Sequence, residues 1–253
     1  MITESEKQIF SRASLLLGPE TLEACNNARV ILFGAGGVGS WCAEGLIRSG
    51  IGHLTIVDPD SVALSNVNRQ LEATLRTVGQ PKAEALKERL LEINPDATIT
   101  VIRKEYTDAT YADYRFDSYD YVIDAIDSLS DKISLLLRAS ASRATVYSSM
   151  GAALKVDPSK IRTAEFWNVR GCPLGAMMRK KMRKQGTFPR KKILCVYDEE
   201  VLENRGDPPT EVPAGKLDAR KAQVNGSLVH ITAIFGMTLA GFVIQDIYTK
   251  TTI

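Results

Sequence analysis

A glycine-rich segment, GAGGVG at residues 34–39, has the GxGxxG spacing of a phosphate-binding loop. Glycine lets the main chain turn tightly and approach phosphate oxygens, and a helix that begins at such a loop presents free N–H groups and a partial positive charge. Asp58 follows nineteen residues after the loop, where a carboxylate accepts hydrogen bonds from ribose hydroxyls. These features predict an adenine-nucleotide site whose phosphates are held by Gly34, Gly36, Gly37 and Gly39.

The residues that follow Asp58 suit a triphosphate better than the pyrophosphate of a dinucleotide. The next twenty-five residues include the amides Asn66 and Gln70 and the cations Arg69 and Lys82. Fixed cations neutralise charge as a phosphate leaves, and a carboxylate such as Asp127 is a ligand for Mg²⁺. We therefore expect ATP and Mg²⁺ at this site. Taken singly, Lys82 also fits an exposed lysine in a first helical turn, and Asp127 also fits an N-cap.

Apolar runs and helical spacing alternate through the first 150 residues. Short apolar runs predict strands at residues 29–33, 53–57, 98–102, 119–124 and 145–149. Helical spacing predicts helices at residues 4–17, 36–49, 81–93 and 129–142, and Gly18 and Pro19 are expected to end the first of them. Strands separated by helices of this length form βαβ units. The sequence thus predicts an α/β fold, a Rossmann-like, doubly wound, mostly parallel sheet with helices on both faces.

The pattern changes after Gly151. Strands are expected at residues 153–156, 161–166 and 193–197, with surface loops at 198–200 and 205–213. After Lys221 no charged residue occurs until Asp246, which is long enough to span a bilayer. Glycines and polar residues in this segment favour a helix buried by the fold or by a partner subunit, with no stable membrane insertion. C-terminal strands and a helix are therefore added to the sheet.

Composition excludes several classes of protein. Of 253 residues, 44% are apolar and 25% are charged, which excludes a disordered chain, a collagen and a coiled coil. The net charge of +2 does not indicate a polyanion partner, so any nucleic-acid surface must be local. Four separated cysteines form no CxxC pair and predict neither a disulfide framework nor a zinc site, and we expect a reducing, cytoplasmic location.

Four motifs make the chain similar to the ubiquitin-activating-type adenylylating superfamily that includes MoeB and ThiF. They are GAGGVGS at residues 34–40, LTIVDPDSVALSNVNRQ at 54–70, VGQPKA at 78–83 and VIDAIDS at 122–128. Within this superfamily the chain resembles most closely the branch that dehydrates threonylcarbamoyladenosine in tRNA, through RASLLLG near the start, RSGIG, and TAIFG near the end.

The resemblance implies a reaction and a role for each matching residue. The glycine loop holds phosphate, Asp58 holds the ribose and Asp127 takes Mg²⁺, while Asn66, Arg69 and Lys82 face the triphosphate. A substrate carboxylate attacks the α-phosphorus of ATP, pyrophosphate leaves, and the acyl adenylate closes to a ring. The net change in the substrate is therefore loss of water.

Arg12 matches an N-terminal arginine that members of this superfamily insert into the ATP site of a partner subunit, which implies a homodimer. The residues alone favour a solvated position on an amphipathic helix. The resemblance also implies one adenylylating domain over residues 1–253. It comprises an N-terminal helix at 1–18, a nucleotide-binding core at 28–150, and a part at 151–253 that faces the substrate and forms the dimer.

Two departures from the superfamily concern cysteine. Activators of sulfur carriers usually carry two CxxC pairs that bind zinc, and this chain has none. Some dehydratase relatives have a cysteine shortly before TAIFG, whereas residues 219–226 have none, which leaves Cys172 as a candidate thiol or a small semi-buried residue. The resemblance also implies a monovalent cation, to which no ligands are assigned, and leaves open a cysteine-desulfurase or sulfur-acceptor partner.

Residues 179–192 form a basic patch in which eight of fourteen residues are Lys or Arg and none is acidic. Such clusters contact nucleic-acid phosphates, and with the resemblance they predict a surface for the tRNA backbone. The alternative is a solvated, flexible loop. Phe188 is a single aromatic candidate for stacking on a base. The predicted tRNA-binding residues are Arg179, Lys180, Lys181, Arg183, Lys184, Arg190, Lys191 and Lys192.

The leading functional hypothesis is an ATP-dependent tRNA-modifying dehydratase. Adenylylation of the C-terminal glycine of a ubiquitin-like sulfur-carrier protein is the main alternative, against which the missing CxxC pairs and the basic patch count. A NAD-dependent oxidoreductase is disfavoured because a hydride carrier does not need Asn66, Arg69 and Lys82. A noncatalytic nucleotide-sensing scaffold is disfavoured because Lys82 and Asp127 are both present.

Overall fold

A seven-stranded sheet forms the centre of the computed structural model, which describes residues 2–207 and 225–252. The strands are β1 (Arg29–Phe33), β2 (His53–Val57), β3 (Thr98–Ile102), β4 (Tyr121–Asp124), β5 (Thr145–Ser149), β6 (Ile161–Glu165) and β7 (Leu194–Asp198). Their order is β3-β2-β1-β4-β5-β7-β6, and only the pair β6 and β7 is antiparallel. The predicted doubly wound, mostly parallel sheet is confirmed.

Helices pack on both faces of this sheet. They are α1 (Glu4–Ile9), α2 (Ser11–Leu17), α3 (Pro19–Asn27), α4 (Gly39–Arg48), α5 (Lys82–Ile93), α6 (Leu129–Ser140), α7 (Pro173–Gln185) and α8 (Val229–Thr252).

Alternating side chains of β1 show how the two faces are filled. Leu32 belongs to an apolar cluster that contains residues of α4, α5 and α8, whereas Phe33 belongs to a second cluster with residues of α6 and α7. Successive side chains of a strand point to opposite faces, and a parallel strand covered on both sides is apolar throughout. The run Val30 to Phe33 is fully buried for this reason.

The N-terminal region differs from its prediction. The single helix expected at residues 4–17 is two helices, α1 and α2, which meet at Phe10. Phe10 is buried and lies against Gly50, so docking of this ring onto the body redirects the chain. Pro19 does not end helical structure but begins α3, because proline at the first helical position has no N–H to leave unpaired.

The region after β5 also differs from its prediction. Residues 153–156 form no strand, and Leu154 adopts a positive φ of 61° that a strand does not allow. The strand β6 pairs instead with β7, which is far away in sequence. Asp198, expected in a surface loop, is the last residue of β7 and is fully buried. The predicted loop at 205–213 and the segment 219–226 lie largely outside the described residues.

The C-terminal helix α8 packs closely on α4. A Cβ added at Gly236 would lie 2.4 Å from Val38 O and 2.7 Å from Cys42 N, so only glycine allows this approach. By length and composition α8 is apolar enough to cross a membrane, and half of its most apolar window is buried inside the protein. The expectation of a helix buried by the fold agrees with this packing, whereas the absence of membrane insertion stays a prediction.

We expect Gly236→Ala to lower the melting temperature by several degrees. The added methyl group meets main-chain atoms of α4, and overpacking of this kind costs about 1–3 kcal/mol, each worth about 2–4 °C in a domain of this size. Gly241→Ala is the matched control on α8, because its Cβ would meet no atom of the described residues within 4 Å. Thermal unfolding of both variants checks this, and equal melting temperatures would contradict it.

Candidate nucleotide-binding site

The glycine loop lies between β1 and α4, at the point where the strand order reverses. β1 has β2 on one side and β4 on the other, so the loops after β1 and β4 diverge and leave a crevice at the carboxyl ends of the strands. Gly34 has a φ of 92°, and its Cβ would lie 2.7 Å from Ala125 O. A Cβ at Gly39 would lie 1.8 Å from Gly34 O. The turn is therefore tight enough to require glycine at both positions.

Asp58, at the end of β2, is bound to this loop. Its Oδ2 accepts a hydrogen bond from Ala35 N at 2.7 Å, and its Oδ1 accepts one from Asp60 N at 2.8 Å. Burial raises the pKa of this carboxyl, while the positive charge of Lys82 and the two N–H donors oppose the rise. Asp58 thus fixes the loop and still has lone pairs for the ribose hydroxyls that the sequence predicts it to bind.

Lys82 is buried in the first turn of α5, so the alternative of an exposed lysine is wrong. Its side chain is 9% exposed, and Nζ lies 2.9 Å from Asp60 Oδ2. Asp60 is more than half exposed, and an ion pair with an exposed carboxylate contributes little to stability. An incoming phosphate can therefore compete with Asp60 for this ammonium group.

The other predicted phosphate-facing residues lie beside the loop. A Cβ at Gly37 would lie 3.4 Å from Arg69 Cγ, and one at Gly36 would lie 3.7 Å from Gln70 Nε2. Arg69 Nη1 donates to Ser65 O at 2.9 Å, and burial lowers the pKa of Arg69. The structure thus brings the guanidinium-bearing segment and the glycine loop together.

Two amides near the loop differ in how their oxygens are satisfied. Asn66 is buried, and its Oδ1 accepts a hydrogen bond from Ala63 N at 3.0 Å. Gln70 is also buried, but its Oε1 has no hydrogen-bond partner among the described residues. Asn66 therefore shapes the short 3₁₀ turn before Arg69, while Gln70 keeps an acceptor free.

Asp127 lies in the loop after β4, which a buried ion pair holds in place. Asp124 and Lys132 are both fully buried, with Nζ 2.8 Å from Oδ2, and Lys132 Nζ also donates to Ile126 O at 2.9 Å. Asp127 itself is exposed, and the residue that caps α6 is Ser128. The alternative of Asp127 as an N-cap is therefore wrong. An exposed carboxylate without an ion pair in the described parts of the chain suits Mg²⁺, which takes few protein ligands and several phosphate or water oxygens.

Glu72 is a residue of this site that the sequence reasoning missed. It is 2% exposed, and neither carboxylate oxygen has a hydrogen-bond partner in the part of the chain that the structure describes. Burial raises its pKa to about 8, although the positive charge of Lys82 opposes the rise. A lone glutamate carries no motif, so its burial could not be predicted from residue type or spacing.

The basic patch lies apart from the glycine loop. Its first five basic residues are on α7, so the alternative of a flexible loop is wrong for residues 179–185. Arg179 Nη1 donates to Phe166 O at 3.0 Å, and Lys191 Nζ donates to Ala144 O at 3.2 Å. Within the described residues, none of the eight forms an ion pair with a carboxylate. Phe188 is exposed and contacts Trp167, with ring centroids 5.7 Å apart.

Arg12 and Cys172 also lie away from the loop. Arg12 is exposed on α2, on the same helical face as Leu15 and Leu16. Cys172 is buried, and its Sγ accepts a hydrogen bond from Gly175 N at 3.4 Å at the start of α7. The structure therefore gives this thiol a capping role and leaves Arg12 exposed on the surface.

The chain matches one protein family over almost its whole length. A model of the ThiF family matches residues 10–250. The chain belongs to the ThiF family.

Individual members of the family cover nearly the whole chain. The tRNA threonylcarbamoyladenosine dehydratase of Bacillus subtilis is 38% identical over 94% of this chain and 94% of that protein. A crystal structure of the Escherichia coli tRNA N6-threonylcarbamoyladenosine dehydratase, TcdA, in complex with ATP has a TM-score of 0.86 and 31% identity, covering 100% of this chain and 98% of that one. The Escherichia coli molybdopterin-synthase adenylyltransferase is 32% identical over only 62% of each chain.

We expect the stability of the nucleotide-free protein to fall between about pH 5 and pH 8 because of Glu72. Its carboxyl ionises near 4.5 in the unfolded chain and at about 8 in the folded protein. Between these values the folded state binds the extra proton, so a rise in pH favours unfolding. Glu72→Gln removes this proton uptake and should reduce the change of stability with pH.

Melting temperatures at pH 5 and pH 8 measure this effect. The variant should lose less stability than wild type over this interval, while Glu84→Gln, an exposed control on α5, should behave like wild type. Parallel curves for wild type and Glu72→Gln would show that Glu72 is ionised in the folded protein.

Proposed function

We propose that this protein dehydrates threonylcarbamoyladenosine in tRNA, using ATP to form an acyl adenylate. The observation that carries the proposal is the glycine loop with Asp58, Arg69, Lys82 and Asp127 around one crevice, in a chain that matches dehydratases over almost its full length. Dehydration of a carboxylic acid needs a leaving group better than hydroxide, and AMP supplies one.

The first step joins the substrate carboxylate to ATP. A carboxylate oxygen attacks the α-phosphorus, the bond to the bridging oxygen breaks, and pyrophosphate carries the electron pair away. Lys82 and Arg69 stabilise the charge that collects on the leaving phosphates, and the N–H groups of the glycine loop hold the phosphate chain in line. Asp127 would hold Mg²⁺, which supplies further charge neutralisation on the phosphates when bound.

The second step closes the ring. A nucleophile within the same threonylcarbamoyl side chain attacks the acyl carbon, AMP leaves with the carboxyl oxygen, and the nucleophile gives up its proton to solvent. The overall balance is one water removed from the substrate while ATP becomes AMP and pyrophosphate. Both steps depend on orientation, so a rigid loop is the main contribution of the protein.

A homodimer would complete the site. Leu15 and Leu16 on α2 are 83% and 81% exposed, and α8 exposes Ile234, Met237 and Tyr248. A groove of about 360 Å³ between these helices is lined by apolar residues that include Leu17, Gly45 and Ile244. Apolar surfaces of this kind mark protein interfaces. We propose that a second copy binds this surface and that Arg12 contacts the ATP site of that copy, as the resemblance implies.

The alternative, adenylylation of a sulfur-carrier protein, has weaker support. The molybdopterin-synthase adenylyltransferase of Escherichia coli matches only 62% of this chain. The dense positive charge on α7 also suits a nucleic acid better than the C-terminal tail of a carrier protein.

Release of AMP and pyrophosphate tests the proposal. Wild type should release both from ATP only when tRNA carrying threonylcarbamoyladenosine is present, and Asp127→Ala should lower the rate at least a hundredfold because charge on the phosphates is no longer neutralised. Ser130→Ala, an exposed neighbour, is the matched control. Pyrophosphate exchange that requires a small ubiquitin-like protein instead of tRNA would establish the alternative function.

Subunit mixing tests the position of Arg12. Arg12→Ala and Asp127→Ala should each be inactive, while a mixture allowed to exchange subunits should recover about a quarter of wild-type activity. Half of the dimers are then mixed, and each has one site with Asp127 from one subunit and Arg12 from the other. No recovery, with exchange verified by size, would place Arg12 in the site of its own subunit.

A further inference from the structure

One long segment of this protein carries a strong net positive charge. The 32 residues between Glu165 and Asp198 contain nine Lys or Arg residues and no acidic residue. Helix α7 carries the middle of this segment, so its direction decides where the charge lies relative to the nucleotide site.

Helix α7 crosses the sheet from one edge to the other. It begins at the carboxyl ends of the parallel strands, where the ATP crevice lies, and we call this the nucleotide edge. At its start, Cys172 Sγ lies 3.9 Å from the position of a Cβ at Gly151, just past the carboxyl end of β5. Beyond its end, Lys191 Nζ donates to Ala144 O at 3.2 Å, just before the amino end of β5. With 13 residues, α7 is about 20 Å long.

The two faces of α7 have opposite character. Gly175, Met178 and Met182 are buried against the body of the protein. Lys180, Arg183 and Lys184 lie on the outer face, and Arg190 and Lys192 are exposed in the segment that follows the helix. We call these five residues the outer basic row. In the described parts of the chain no carboxylate pairs with any of them.

One member of the row is held in a defined orientation. The guanidinium carbon of Arg183 lies 5.3 Å from the centre of the Trp167 ring, and Trp167 in turn contacts Phe166 and Phe188. A cation over an aromatic face is attracted to it and loses rotational freedom. Arg183 is therefore oriented before any ligand arrives, which is not expected of a merely solvated side chain.

We propose that the outer basic row binds the phosphate backbone of an RNA stem lengthways, with the reacting nucleotide at the nucleotide edge and the stem directed toward the opposite edge. The proposal rests on the proposed function, since ATP chemistry at the crevice requires the modified base to reach that edge. Members of the row lie up to one helix length from the nucleotide edge, so the most distant of them contact RNA about 20 Å from the reacting base. Contacts to phosphates read the shape of a stem and not its sequence.

A stem-length experiment tests this arrangement. RNA stem-loops carrying the modified base are prepared with a stem as long as α7, the full stem, and with a stem cut to half that length, the half stem. Binding is measured by fluorescence anisotropy, and turnover by AMP release, for wild type, Lys184→Glu and Lys87→Glu. Lys87 lies on α5, on the other face of the sheet, and serves as the control for the change in net charge.

For the full stem, Lys184→Glu should weaken binding and raise KM about tenfold without changing kcat or the KM for ATP. It should also lower the salt dependence of binding by about one unit of log–log slope. For the half stem, wild type and Lys184→Glu should bind equally. Lys87→Glu should match wild type on both.

Two outcomes would overturn the lengthways arrangement: an equal loss on both stems, or no loss on either. Absence of AMP release by wild type, with stem-dependent binding through Lys184 preserved, would refute the proposed function and leave the RNA surface established. The reverse result, turnover on both stems without any effect of Lys184→Glu, would keep the function and refute the surface.

Discussion

The turn between β1 and α4 is the constraint on which the rest of the site depends. Gly34 and Gly39 approach so closely that a Cβ on Gly39 would overlap the carbonyl oxygen of Gly34. Asp58 ties the same loop from one side through Ala35 N, and Gly236 brings α8 against it from the other. Parts of the chain that are far apart in sequence thus hold a few main-chain N–H groups in one arrangement, which is what a phosphate-binding loop requires before the nucleotide arrives.

The cations around this loop have partners that the phosphates of a nucleotide can replace. Lys82 pairs with a half-exposed carboxylate, and Arg69 donates to main-chain and amide oxygens, so within the described residues neither cation forms an ion pair with a buried carboxylate. The fully buried pair Asp124 and Lys132 has the opposite role, because separating it would leave a charge without a partner in the core. One set of charges therefore stays in place and supports the loop after β4, while the other is free to move onto phosphate.

Three surfaces of different chemical character surround the sheet. The carboxyl edge holds the crevice, the face of α2 and α8 exposes apolar side chains, and the outer face of α7 exposes positive charge. This separation explains why a chain with almost no net charge presents a strongly basic surface. Helix α7 connects the two edges of the sheet, so this basic surface begins beside the crevice and leads away from it.

Local signals in the amino-acid sequence are enough to predict the nucleotide-binding half of this protein. Glycine spacing, apolar strands and helical periodicity are local signals, so β1 to β5, the loop at residues 34–39 and the neighbouring Asp58 follow from them. The predicted roles of Arg69, Lys82 and Asp127 also came from the sequence, and the structure places all three around the same crevice.

Features that depend on distant partners become visible in the folded protein alone. The pairing of β6 with β7, the break at Phe10 and the burial of Asp198 are set by contacts between segments far apart in the chain. The unpartnered state of Glu72 and the direction of α7 are of the same kind, since a residue type states what a side chain can do but not what surrounds it. Packing supplies that surrounding, and no local pattern of residues encodes it.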